Sequence, residues 1–356
     1  MFPFSTFDKP LPLSAISVRV TNQPVFEEIG LKLSRYLLVF WLVCTCSAQL
    51  PEYYKKVNRV TWVVENIDKV RPAWEALGLT DIQEYPNIQL QGQFRGRPIT
   101  IYAWQITGRV GNLTIDMIQP GEGQRNVYTN YLSRHGDGIA SILHEVPSKE
   151  ALEAEILRMK EKGVPVLQQV VMQTGGAPVT YTYFDTEPQG KFVLGLVYRQ
   201  GGMPSVRGPA TVSHFATMIW DGAAVSAYWE KLGFPAFPMA HATPREDSRY
   251  KGNPLLLAFE VGFQRHADFR YEWISPPASP PNIYADFLNK HHREGIQHIG
   301  FEVDDLAKAV DAYKKMGYNV HQSGAWGDVG KPNSGHYAYM DTNSVGGVSV
   351  ELIRRY

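Results

Sequence analysis

Two residues of this chain sit where core strands ordinarily carry apolar side chains or none of consequence: His298 and Glu351. In Glu294–Val303, EGIQHIGFEV, and Val348–Leu352, VSVEL, apolar residues alternate with others, and successive side chains of a strand point to opposite faces. Ile299, Phe301 and Val303 share one face of the first segment and leave His298 on the other. Val348, Val350 and Leu352 likewise leave Ser349 and Glu351 opposite them. An imidazole and a carboxylate on the polar faces of two core-like strands are an arrangement that a metal site would use. Further ligands would have to come from elsewhere in the chain.

The whole sequence has 356 residues, 44% hydrophobic and 20% charged, which is ordinary for a globular protein and long enough for two domains. Its formal net charge is zero, so it carries no electrostatic footprint for nucleic acid. The first 48 residues read as a leader. Lys32 and Arg35 precede the apolar core at about 36–44, YLLVFWLVC, and small residues follow up to Ala48. That is the pattern of a signal peptide, and the run falls short of the roughly twenty residues of a membrane span. Cleavage after Ala48 would remove Cys44 and Cys46, the two cysteines present, leaving no thiol and no stable membrane span. The expected location is periplasmic or secreted. Met1–Gly30, with Asp8, Glu27 and Glu28, fits a secretion signal poorly, so translation is expected to start near Val25 or Leu31.

The remainder is a repeat of a repeat. Val57–Leu79 aligns without a gap on Val212–Phe234, matching Val57 with Val212, Trp74 with Trp229, Glu75 with Glu230 and Gly78 with Gly233. YTNYLSRH at 128–135 returns as YADFLNKH at 284–291, and YFDT at 183–186 as YMDT at 339–342. The halves, 49–200 and 212–356, are joined by Gly- and Pro-rich chain within Tyr198–Thr211, its linker proper at 201–211. Each half divides again, giving four βαβββ-like units at about 57–118, 138–198, 212–275 and 295–354. The helix of the second, Ser148–Lys162, has Leu152, Ile156 and Met159 at helical spacing and closes at Gly163. Helices alternating with several consecutive strands indicate an α+β fold.

EGIQHIGFEVDDLAKAVDAYKKMGY followed by YMDTNSVGGVSVELI resembles the vicinal oxygen chelate superfamily, particularly its glyoxalase and methylmalonyl-CoA epimerase groups; extradiol dioxygenases and bleomycin-resistance proteins also belong there. The resemblance covers roughly 57–356. It implies that units pair edge to edge into half-barrel (glyoxalase-like) domains, the first and last strands of each unit offering one ligand apiece. So placed, His214, Glu272, His298 and Glu351 form one site for a divalent metal ion, Zn, Ni, Co, Mn or Fe(II). The matching N-terminal positions hold Arg59, Asp116, Ser141 and Gly195, a degenerate copy, with His144 on the opposite strand face. Pairing of unit one with four and two with three stays open, and would split this site.

His336 changed along with the ligands, its N-terminal counterpart being Thr180. It is a candidate acid–base group, as is Tyr339, although Tyr183 occupies the same place in the other half. His291 and His292 are expected to be solvated; His241, His266 and His321 lack evident partners, and no basic cluster near the site is evident. The resemblance implies a small-molecule substrate with two neighbouring oxygens and a lyase or isomerase reaction through an enediolate-type intermediate. Glu351 is then the base, and Glu272 a ligand or second base. One alternative is an extradiol-type dioxygenase using Fe(II) on His214, His298 and Glu351. The other is a non-catalytic, sequestering binding protein, whose relatives typically lack metal ligands. Since one chain completes its own site, a monomer suffices and a homodimer is compatible.

Overall fold

The computed structural model describes residues 50–173, 175–203, 212–267 and 269–356. The leader, with its apolar stretch, and most of the linker (204–211) lie outside them. No helix among the described residues is long and apolar enough to cross a membrane.

Unit one comprises β1 (Arg59–Val63), α1 (Ile67–Ala76), β2 (Thr80–Phe94), β3 (Arg97–Val110) and β4 (Leu113–Pro120). A connecting helix, α2 (Val127–His135), leads to unit two: β5 (Gly138–Glu145), α3 (Lys149–Glu161), β6 (Val166–Met172), β7 (Val179–Phe184), a short α4 (Glu187–Gly190) and β8 (Val193–Arg199). Unit three has β9 (Val212–Met218), α5 (Gly222–Lys231), β10 (Ala240–Ala242), an inserted pair β11 (Arg249–Tyr250) and β12 (Asn253–Pro254), then β13 (Phe259–Arg265) and β14 (Arg270–Ser275). After α6 (Ile283–His291), unit four runs β15 (Gly295–Glu302), α7 (Leu306–Lys315), β16 (Val320–Trp326), β17 (Gly335–Met340) and β18 (Ser349–Arg355).

Local chemistry sets the boundaries of the unit helices. Asn66, Ser148, Asp221 and Asp305 cap α1, α3, α5 and α7, each accepting a hydrogen bond from the backbone N–H three residues on. The four helices end just ahead of Gly78, Gly163, Gly233 and Gly317, whose φ values lie between 82° and 103°. A Cβ there would be strained, so glycine is the residue that lets the chain turn back toward the next strand.

Within each half the first strands of the two units meet. β1 pairs in parallel with β4 and antiparallel with β5; β9 pairs the same way with β14 and β15. Unit one therefore joins two, and unit three joins four, which settles the pairing in favour of an intact site. The halves close differently. In the first, the long β2 reaches β6 and completes a barrel in the order β1-β4-β3-β2-β6-β7-β8-β5. In the second, β10 has only three residues, and the insertion after it adds β11 to β16 instead. That sheet stays open, in the order β10-β13-β14-β9-β15-β18-β17-β16-β11-β12.

The halves pack through a reciprocal contact. The Trp74 indole N–H donates to the Val345 carbonyl (2.7 Å), and its repeat partner Trp229 donates to the Gly190 carbonyl (3.2 Å). Trp62 adds a third such bond, to the Gly346 carbonyl (2.6 Å). His144, turned away from the barrel interior as its strand parity requires, is fully buried at the same junction. Its Nδ1 lies 2.6 Å from the Lys56 carbonyl and so carries the proton, and Nε2 accepts from the Tyr271 hydroxyl at 3.2 Å. Burial lowers its pKa to about 3 despite the carbonyl acceptor, so this His is a neutral structural link.

Candidate metal centre

The parallel register of β9 with β14 and of β15 with β18 sets His214 and Glu272, and His298 and Glu351, two residues apart on adjacent strands. All four face the interior of the open sheet. One donor atom from each lies within 4.8 Å of the other three. His214 Nε2 is 3.0 Å from Glu272 Oε2, 2.9 Å from Glu351 Oε2 and 3.2 Å from His298 Nε2. His298 Nε2 stands 3.4 Å from Glu272 and 3.6 Å from Glu351.

The far nitrogens fix how the rings present themselves. His214 Nδ1 lies 2.9 Å from the Ser213 hydroxyl, which itself donates to the Gly300 carbonyl. His298 Nδ1 donates to Gln297 Oε1 at 2.6 Å, and the Gln297 amide donates to Ser349 Oγ at 3.1 Å. With each Nδ1 bonded outward, both Nε2 atoms are turned on the shared point, as in metal sites whose outer partners set the tautomer. Gln297 reaches its neighbour's ring because β15 is irregular between Ile296 and His298, a bulge that re-aims a side chain.

Without a cation, a proton has to hold this cluster together. Burial alone would depress His214, but the charges and hydrogen bonds of Glu272 and Glu351 outweigh it and push the imidazole up to about 9. Glu272 is likewise held well below the usual carboxylate range, its burial overcome by His214 and His298. Two carboxylates and two imidazole nitrogens crowded around one point in the interior are a donor set that fits a divalent ion. His214, Glu272, His298 and Glu351 would hold it.

Room for the cluster comes from Gly300, which lies beside His214 on β9 and Glu351 on β18. A Cβ on it would run into the His214 ring. The cluster opens on a cavity of about 550 Å³ lined by Tyr284, Tyr337, Tyr339 and Trp326 among others. Tyr339, paired in register with Glu351, holds its ring 4.9 Å from that of His298 and accepts a hydrogen bond from the Tyr284 hydroxyl (3.0 Å). Its burial and the Glu351 charge keep it a neutral phenol. The same tyrosine pair, Tyr128 with Tyr183, recurs in the first half at 3.0 Å, so it accompanies the fold rather than the ligands.

The structure does not bring His336 to this group. It lies on the opposite face of β17 from Tyr337 and Tyr339, and its Nδ1 meets the Tyr356 hydroxyl at 3.2 Å. His292 is exposed, as expected. His241 stands at the cavity, largely exposed and 3.8 Å from Glu260; His266 stacks on Phe269, and His321 on Tyr250. The expectation of no basic cluster is corrected: Arg245, Arg265, Arg270 and Arg355 all line the cavity. They come from a loop, the turn end of the β13–β14 hairpin and the C-terminal strand β18, so no run of charge announces them. Gln297 and Gly300 also escaped the sequence reading, and Ser349, placed there on the face of Glu351, was given no role, although the repeat carries the signal: their counterparts are Ala140, Leu143 and Val193.

An α+β fold of four βαβββ units with a His/Glu centre in one half defines a class, and the sequence comparisons agree. Residues 58–183 and 209–353 match the family model of the Glyoxalase/Bleomycin resistance protein/Dioxygenase superfamily. The chain belongs to that superfamily. A comparison with curated proteins finds no match. Among solved structures, a mutant of 4-hydroxymandelate synthase from Streptomyces coelicolor shares the fold, with a TM-score of 0.59 at 16% identity over 84% of this chain and 92% of that one. The Mn(II)-bound glyoxalase from Novosphingobium aromaticivorans aligns with a TM-score of 0.48 at 15% identity, over 84% and 82% of the two chains.

Proposed function

We propose that this protein is a metal-dependent lyase or isomerase of the glyoxalase type, acting on a small molecule with two neighbouring oxygens through an enediolate-type intermediate of that substrate. The observation that carries this reading is the donor set: Glu272 stands as near the imidazole nitrogens as Glu351 does. A dioxygenase centre of two His and one carboxylate would leave Glu272 outside. When bound, a divalent ion supplies Lewis-acid stabilisation of negative charge developing on the substrate oxygens. Glu351 lines the cavity and is the base that takes a proton from carbon next to a carbonyl, with Glu272 as ligand or second base. Tyr339, accepting from Tyr284, keeps its own hydroxyl proton to donate to a substrate oxygen. The aromatic walls hold the substrate and exclude water.

The test joins metal analysis to proton exchange. The purified protein is expected to carry one divalent ion per chain, lost in His298→Ala. It should also exchange solvent deuterium into hydroxyacetone beside the carbonyl, an exchange lost in Glu351→Gln. Iron with oxygen uptake on catechol would instead support the dioxygenase reading. A metal-free protein that binds small molecules without turnover would support sequestration.

A further inference from the structure

The rim of the cavity holds a contrast between the halves that the metal ligands do not explain. Arg265, Arg355 and Glu302 are strand residues whose register partners repeat in the first half as Arg109, Arg199 and Glu145. They belong to the scaffold. Arg270 does not repeat. It lies opposite His214 on β9 and Arg265 on β13, and the residue opposite Arg59 and Arg109 in the first half is Thr114. An arginine is thus present in the half that keeps the metal ligands and missing from the half that lost them.

Arg270 also has the right position. It precedes Glu272 by two residues on the same face of β14, about 7 Å along the strand, and lines the same cavity. Its side chain is largely buried, and the nearest carboxylate, Glu302, is 3.6 Å away and shared with Arg355. Arg270 and Arg355 share Glu302, Glu272 also acts on Arg270, and Arg265 lies opposite Arg270 in register, so the rim gathers guanidinium groups within reach of a small ligand at the metal. A guanidinium placed this way matches a planar or tetrahedral oxyanion through paired N–H donors.

We infer that the substrate is an anion: a small molecule that presents two neighbouring oxygens to the metal and, a few ångströms away, a carboxylate or phosphate to Arg270. This rests on the metal-site reading above. Arg270 is the specificity-determining residue, and the repeated rim arginines add background potential.

The experiment is calorimetric titration of the purified protein with matched probes at low salt, the metal content of every sample being measured alongside. 3,4-Dihydroxybenzoate is compared with catechol, and dihydroxyacetone phosphate with dihydroxyacetone. At least one charged probe should bind roughly 10- to 100-fold tighter than its neutral partner, as expected for a hydrogen-bonded charged contact; which one identifies the oxyanion. Arg270→Gln should erase that advantage and leave the neutral probes and the metal content unchanged, whereas Arg265→Gln should preserve it. If Arg270→Gln does not fold, Arg270→Lys, which keeps the charge without the fork, must reduce the preference. Metal-bearing protein that binds charged and neutral probes alike, or an advantage that survives Arg270→Gln, overturns this inference alone. Protein without metal overturns the metal-site reading together with it.

Discussion

The interior of the first half and that of the second are the same construction put to opposite uses. Where β9 and β14 bring His214 and Glu272 together, β1 and β4 bring Arg59 and Asp116 together. Arg59 Nη1 lies 2.6 Å from Asp116 Oδ1, both side chains buried, with Thr107 and Gln105 donating to the same oxygen. Where β15 leaves Gly300 open for the His214 ring, β5 carries Leu143, and Leu143 leans over Gly195, the counterpart of Glu351, so closely that a Cβ there would meet it. The outward supports have gone too, Gln297 and Ser349 being matched by Ala140 and Val193. A buried carboxylate needs a cation. The second half leaves a place for an external one, and the first supplies its own on a covalent tether, fills the space with leucine and closes the barrel. That is why the first half is scaffold and the second holds the candidate centre.

The largest expected effect comes from breaking the tethered pair. Asp116→Ala strands Arg59 in the interior and should cost about 3–5 kcal/mol, the range for removing one partner of a buried ion pair. Arg59→Met with Asp116→Leu should recover most of it. Urea unfolding of the three proteins measures this, and the metal content should not change. A single variant as stable as the parent would show that the pair does not replace a cation in the way described.

The reverse change writes the first half's features into the second. Gly300→Ala pushes a methyl group against the His214 ring; overpacking of this kind costs about 1–3 kcal/mol, and the expected outcome is a folded protein without metal by elemental analysis. Full metal occupancy would mean that the ring has room to move. Gln297→Ala copies Ala140 and removes the acceptor on His298 Nδ1. Loss of an outer partner typically lowers metal affinity about 10- to 100-fold, readable by competition with a chelator, and unchanged affinity would assign the bulge a purely backbone role.

The clustering of the four residues was legible in the sequence because two rules reinforce each other. Strand alternation put His298 and Glu351 on the wrong side for core residues, and the repeat supplied His214 and Glu272 at matching places. The helix boundaries were legible for the same reason, with Gly163 closing its helix as the spacing demands. What stayed hidden depends on pairs of strands or on departures from regularity. Gly300 in a strand looks like any glycine until His214 is seen across from it. The bulge at Gln297 alters the side-chain parity on which the reading rests. The arginine rim exists only once the sheet brings the β13–β14 hairpin and β18 to one cavity, and the open edge follows from a three-residue β10 that no composition signal marks.

His336 shows where tracking the repeat misleads. It differs from its counterpart Thr180 as the ligands do from theirs, yet it stands three residues from Tyr339 on one strand, and an odd separation puts the two side chains on opposite faces. Tyr339 is at the centre, 4.9 Å from the His298 ring; His336 is therefore outside it, beside Tyr356. A change between the halves is evidence for the site only when the residue also shares the parity of a ligand in register with it, a condition that Arg270 meets through Glu272 and His336 fails. His336→Gln should accordingly alter stability by less than about 0.5 kcal/mol, as surface substitutions usually do, and leave both metal content and deuterium exchange at parental values. A loss of exchange in this variant, with metal retained, would return His336 to the chemistry and place a substrate on the outer face of β17.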